Sequence, residues 1–260
     1  MKLSCVTASY VADLIGYPGE VDWGYASDTI TKAPVLEIID GILKRLAPAK
    51  LDGIEFWFPH IWPANLTPVI AGEILKRLTA QEMVCCACAG GVDNPDANPY
   101  GAMATFQTTR LMEASLIAGH LDPESIKALG QMCAKYGVRA AYENGDEKDA
   151  SEIQAAIRGG NQWIGANIDT GNMAGRGGDP VKAIRTLGSR IVHVHFKDVP
   201  AVGSHDCVAM GKGIVDIKGV IRELKAIGYD GWLSIEIETG DHDPTEEIIA
   251  SAETLRGLLA

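Results

Sequence analysis

The chain has 260 residues, 47% hydrophobic and 22% charged, so it can bury a sizeable core and suits one large α/β barrel or two small domains. Its formal net charge of −11 argues against a nucleic-acid partner, because affinity for a phosphate backbone rests on Lys and Arg, and no basic cluster is visible. No apolar stretch reaches the roughly 18 residues of a membrane span and no charged, apolar leader opens the sequence, so a reduced cytoplasmic setting without membrane contact is expected.

Short β-prone runs alternate with amphipathic stretches from one end to the other. A strand is predicted over 2–9 and a helix over 33–47, followed by strand 53–58 and helix 66–80. Strand 83–89, helix 101–112, strand 114–119 and helix 122–136 come next. The second half reads strand 139–144, helix 148–158, strand 164–169, helix 180–188, strand 190–196, helix 216–227, strand 232–238 and helix 245–258. End signals support these assignments. In LDPESIKALGQMCAKYG, Asp122 can cap, Pro123 fits the first helical position and Gly137 fits the stop. Asp243 before Pro244 repeats the start, and Asp179 can cap the helix after the Gly-rich loop 175–180.

Eight β/α units in this length fit a closed (β/α)8 barrel forming one domain over 1–260. A doubly wound open sheet usually carries a Gly-rich nucleotide turn, and none is present. Of the six cysteines, three sit in VCCACAG, which reads as small residues packed in a strand rather than as zinc ligands or a disulfide framework.

Four potential ligands end four of the predicted strands: Glu143, Asp169, His195 and Glu236, at intervals of 26, 26 and 41 residues. In a parallel barrel the carboxyl ends of strands converge on one mouth. Alternation puts Asn167 with Asp169, His193 with His195 and Lys197, and Ser234 with Glu236 and Glu238 on common faces. The outer face of barrel strands lies under helices, so these polar faces point inward. Three carboxylates and one imidazole form a hard, oxygen-rich site for a divalent cation, with Mn²⁺ the first choice and Mg²⁺, Co²⁺ or Zn²⁺ as alternatives.

Around that quartet the expected mouth includes two long loops. Residues 10–32 bring Trp23, residues 199–215 bring His205 and Lys212, and PHIWP at 59–63 brings His60 and Trp62. Trp23, Trp57 and Trp62 are candidates to stack on a bound ring. Glu55 either reaches the substrate from the second strand or forms an ion pair inside the barrel. His60, His120 and His242 read as ordinary loop residues.

Motifs of the second half resemble the xylose isomerase-like TIM barrel superfamily, in its sugar phosphate isomerase/epimerase branch. They are GVRAAYEN, NIDTGNMAGRGGDP, RIVHVHFKD, MGKGIVDIKGVIRELKAIGYDGWLSIEIE and DPTEEIIASAETLRGLL. The resemblance is strong over about 120–260 and looser over 1–90, through LDGIEFWFP. It implies that Glu143, Asp169, His195 and Glu236 hold one divalent ion. It further implies isomerisation or epimerisation of a carbohydrate through an enediolate, with Glu143 and Glu236 as bases and Lys197 or His205 supplying charge or a proton. Asn172 and Arg176 are then candidates to bind substrate.

Three positions depart from the family pattern: Asn172 stands where DxxH has His, Lys212 where GEG has Glu, and Gly145 where ENH has His. The alternative the resemblance leaves open is a lyase or dehydratase eliminating a β-substituent from a keto-sugar, keto-inositol or oxidised glycoside, with His205 protonating the leaving group. A noncatalytic sugar-binding protein is a third reading, and an endonuclease is disfavoured by the acidic charge and scarcity of His. Self-association into a homo-oligomer is common in the family.

Overall fold

Eight parallel strands close into a barrel in sequence order, with the last pairing back to the first. The computed structural model describes residues 1–260. The strands are β1 (Lys2–Val6), β2 (Gly53–Trp57), β3 (Val84–Ala89), β4 (Leu116–Gly119), β5 (Arg139–Glu143), β6 (Ile164–Asp169), β7 (Ile191–Phe196) and β8 (Trp232–Ile235). Around them run α1 (Trp23–Lys32), α2 (Val35–Leu46), α3 (Pro68–Ala80), α4 (Pro99–Leu111) and α5 (Ile126–Tyr136). They continue as α6 (Ala150–Ala156), α7 (Thr170–Gly175), α8 (Pro180–Leu187), α9 (Ile217–Ala226) and α10 (Thr245–Leu259). No helix is long and apolar enough to cross a membrane.

The strands are short apolar runs because both faces are covered. Along β4 and β5, Ile117 and Ala140 join the main core between strands and helices, whereas Leu116, Ala118 and Ala141 belong to a second cluster on the opposite face, inside the barrel. The helices supply the outer half of the core from one stripe each: α2 buries Ile39, Ile42, Leu43 and Leu46, the spacing of a single helical face. The predicted end signals are in place. Asp122 accepts from the Glu124 amide, Gly137 closes α5 at φ 64°, and Asp179 accepts from the Lys182 amide. All six cysteines are free, and all but Cys207 are buried.

Two differences from the sequence reading matter for the site. The expected loop 10–32 contains α1, which Asp22 caps and which buries Ala26 and Ile30. The chain after β6 does not run straight into the Gly-rich loop; it first makes the single-turn helix α7, capped by Asp169. This helix packs tightly on β7: a Cβ at Gly171 would lie 2.5 Å from Cγ of Lys197.

Candidate metal centre

Glu143 is the last residue of β5, Asp169 the last of β6, His195 the penultimate residue of β7, and Glu236 directly follows β8. The strand register pairs Glu143 with Asn167 and Asp169 with His195, so the candidate ligands Asp169 and His195 sit side by side on neighbouring strands. The donor atoms of Glu143, Asp169, His195 and Glu236 all lie within 4.8 Å of one another, and all four residues are buried. Nδ1 of His195 is 3.1 Å from Glu143 Oε1 and 3.2 Å from Glu236 Oε2. The sequence-predicted quartet thus converges on one point.

Hydrogen bonds from behind hold this arrangement. Oδ1 of Asp169 accepts from the Asn172 amide, and the Asn144 side chain bonds both backbone groups of Asp169 at 3.0 Å. Asn167 Oδ1 accepts from the His195 amide at 2.9 Å. Thr170 Oγ1 donates to the Lys197 carbonyl and accepts from its amide, tying α7 to the end of β7.

The atoms facing the centre are left over. Asp169 Oδ2, His195 Nδ1 and Glu236 Oε2 are buried and lack a well-formed hydrogen bond; their close contacts are to Lys197 Nζ, Glu143 Oε1 and one another. Buried polar atoms are normally satisfied, so three that face one another, two of them sharing a single ammonium group, fit a shared cation. Nε2 of His195 lies 3.1 Å from Glu55 Oε1, so a ring with a cation at Nδ1 would keep its proton on Nε2. Oxygen-rich donors with a single imidazole are the chemistry of a hard or borderline divalent ion.

Protons and a cation would compete for these groups. Burial pushes the Asp169 carboxyl up to about 6, against the pull of Lys197 and with added repulsion from Glu236 and Glu143. Burial also works against Glu236, yet His195 and Lys197 draw it down to about 2. Burial opposes the protonated form of His195, but Glu236, Glu143 and Glu55 hold it well above its ordinary range. Lys197 Nζ balances part of the negative charge, at 3.0 Å from Asp169 Oδ2, 3.2 Å from Glu236 Oε2 and 2.9 Å from Glu238 Oε2.

A cavity of about 670 Å³ opens over these residues. Glu143, His195, Lys197, Glu236 and, from the predicted rim, Trp23, Asn172, Arg176 and His205 line it. Trp23 stands edge-on to Trp57, which lines the same cavity, with ring centroids 5.5 Å apart. Arg176 pairs with Asp146 at 2.5 Å.

Two expected substrate contacts are corrected. Glu55 does not reach the cavity: it is fully buried inside the barrel, where it accepts from His193 Nε2 at 2.6 Å, His195 Nε2 and Ser234 Oγ at 2.5 Å. Trp62 lies beyond the one-turn helix Phe58–Ile61, which turns it away to a separate groove beside Phe58, Pro63 and Val92. His60 is buried against Thr7 rather than on the rim.

Other lining residues escaped the sequence reading. His120, taken for an ordinary loop residue, lines the cavity, as do Tyr142, Asp146 and Glu147. The Tyr142 hydroxyl donates to Glu147 Oε1 at 2.6 Å, and the other Glu147 oxygen accepts from the Gly145 amide. Tyr142 neighbours Glu143 on β5, while His120, Asp146 and Glu147 lie in loops, which carry no period, so only adjacency to the strand-end Glu143 hinted at Tyr142, Asp146 and Glu147.

The family model for the xylose isomerase-like TIM barrel matches residues 123–258. An inosose dehydratase of Lactiplantibacillus plantarum is 29% identical over 137 residues, covering 45% of each chain. The match therefore spans about half the length of that curated relative. The solved D-psicose 3-epimerase of Clostridium cellulolyticum H10, with D-tagatose, superposes with a TM-score of 0.70 at 16% identity, covering 100% of this chain and 99% of that one. The IOLI protein with a bound zinc atom superposes with a TM-score of 0.72 at 14% identity, covering 100% and 98%. At these identities the two structures speak for the fold alone.

Proposed function

Because this chain belongs to the xylose isomerase-like TIM barrel family, we propose that it is a divalent-metal-dependent enzyme that isomerises or epimerises a small sugar by moving a proton at the carbon next to a carbonyl. The observation that carries this reading is the placement of Glu143 and Glu236. These two carboxylates, from β5 and the end of β8, approach the same imidazole nitrogen at 3.1 and 3.2 Å on the floor of a cavity of about 670 Å³.

A divalent cation held by Glu143, Asp169, His195 and Glu236, with Mn²⁺ our first choice, would act as a Lewis acid on adjacent carbonyl and hydroxyl oxygens and favour an enediolate. Glu143 and Glu236 then serve as the proton acceptor and donor, general acid–base work of the kind that contributes roughly 10²–10⁴-fold. Lys197 adds a fixed positive charge beside Glu236, where negative charge develops on substrate oxygen. Asn172 and Arg176 offer donors to sugar hydroxyls, and Trp23 with Trp57 offers an apolar wall.

A second reading uses the same proton abstraction but expels a β-hydroxyl or β-substituent. It is favoured by the likeness to an inosose dehydratase. In this reading His205, which lines the cavity after β7, would protonate the leaving group.

Incubation of the Mn²⁺-loaded protein in D₂O with a panel of ketoses and keto-inositols separates these outcomes. Deuterium at the carbon beside the carbonyl, in both recovered and rearranged sugar, is the expected result. Release of water with a deoxy-diketone product selects elimination. Absence of exchange into every ketose and keto-inositol of the panel sinks both.

A further inference from the structure

Lys197 is fixed along most of its length. Thr170 ties its backbone to α7, and its stem lies against Gly171, where a Cβ would come within 2.5 Å of Lys197 Cγ and 2.8 Å of Lys197 Cβ. Only the ammonium at the end of that stem has a choice of partners. It stands 3.0 Å from Asp169 Oδ2 and 3.2 Å from Glu236 Oε2, two atoms of the candidate quartet. It also stands 2.9 Å from Glu238 Oε2, which lies outside the quartet. The Asp169 and Glu236 side chains are buried, whereas that of Glu238 is 26% exposed and lines the cavity.

These contacts pull in opposite directions. An ammonium about 3 Å from a ligand oxygen takes up one of its lone pairs and repels any second cation nearby, and both effects are stronger where burial excludes water. The bond to Glu238 draws the same ammonium toward the cavity and away from Asp169 and Glu236. Lys197 is the one side chain that donates to the Glu238 carboxylate, so the charge of Glu238 is committed to it.

We propose that Glu238 is a positioning residue for the cation site. By holding the Lys197 ammonium at the cavity edge it keeps Asp169 Oδ2 and Glu236 Oε2 available, and so sets how tightly the quartet binds a divalent ion. Lys197 opposes binding; Glu238 relieves that opposition. The proposal rests on the reading of the quartet as a cation site and concerns its affinity.

A double-mutant cycle read as Mn²⁺ affinity, from the free-Mn²⁺ EPR signal, tests it. Lys197→Met should tighten Mn²⁺ by about tenfold, because it removes a positive charge beside two ligand oxygens. Glu238→Gln should weaken Mn²⁺ by about fivefold or more, because the ammonium is left to Asp169 and Glu236. In the Lys197→Met background the same Glu238→Gln change should alter affinity by less than about twofold. A full loss in that background would show that the Glu238 charge acts on the ion directly. No tightening in Lys197→Met would show that the ammonium does not oppose the ion. Either result overturns the proposal. Lys197→Gln, which keeps a polar head among the buried carboxylates, takes the place of Lys197→Met in the cycle if CD shows the latter unfolded. Absence of saturable Mn²⁺ binding to the wild type would remove the cation site and this proposal together, an outcome distinct from an additive cycle on a protein that binds.

Discussion

Glu55 holds His195 from below. Its Oε1 sits 3.1 Å from His195 Nε2 while its Oε2 takes His193 Nε2 at 2.6 Å, so one fully buried carboxylate orients both imidazoles of β7. Ser234 donates to the same carboxylate and itself contacts Ser4 Oγ at 2.6 Å, which extends the network across β8 and β1. With a proton on Nε2 toward Glu55, Nδ1 of His195 would be the atom offered to the proposed cation.

Replacing Glu55 with Gln puts an amide NH₂ where one acceptor oxygen stood, opposite an imidazole N–H. Partners of ligating histidines typically matter by about 10–100-fold in metal affinity. Glu55→Gln should weaken Mn²⁺ binding by that factor, read from the free-Mn²⁺ EPR signal, with the far-UV CD spectrum unchanged. Wild-type affinity in the variant would show that Glu55 does not position the ligand.

His60 gives a pH dependence whose sign follows from its burial. Thr7 Oγ1 accepts from the Trp57 amide at 2.8 Å and contacts His60 Nδ1 at 3.0 Å, an arrangement that suits a neutral ring accepting the hydroxyl proton. Burial lowers His60 from 6.5 to about 4. Between those values the unfolded chain binds a proton that the folded chain refuses, so stability is full above about pH 6.5 and falls as pH drops toward 4, by about 3 kcal/mol. Urea midpoints at neutral pH and near pH 4.5 should fall less for His60→Gln than for the wild type. Parallel losses would contradict a neutral, buried His60.

Asp198 anchors the 17 residues of chain between β7 and β8 that begin at Val199 and end at Val215. Asp198→Ala leaves the amides of Gly211, Gly213 and Val215 without their charged acceptor, and hydrogen bonds to charged groups are worth about 1.5–3 kcal/mol. Hydrogen exchange of those three amides should accelerate strongly while the strand amides of β5 and β6 keep their protection. Retained protection at Gly211 and Gly213 would mean that the carboxylate does not hold the loop.

The eight strands and the quartet were legible because both rest on simple periods. Alternation along β6, β7 and β8 assigns Asp169, His195 and Glu236 to the inner face, and the strand ends place them at one rim. Height within the barrel is a different quantity, and there the pattern failed for Glu55. It is inward-facing but pairs in register with Val6 and Ala87 partway along β2, and Trp57, two residues on, is the inward residue that reaches the cavity. Trp62 and His60 were misplaced because the short helix Phe58–Ile61 redirects the chain, and a single turn leaves no periodic trace. The same holds for α7: Thr170–Gly175 contains two glycines and no amphipathic repeat.

Metal content tests the central claim most directly. Wild-type protein loaded with Mn²⁺ and desalted should retain about one divalent ion per chain, as four donors converging on one point require. Glu236→Gln and His195→Ala, prepared identically and checked for folding by CD, should retain little or none. An unchanged metal stoichiometry in both variants would contradict the assignment of this cluster as the cation site.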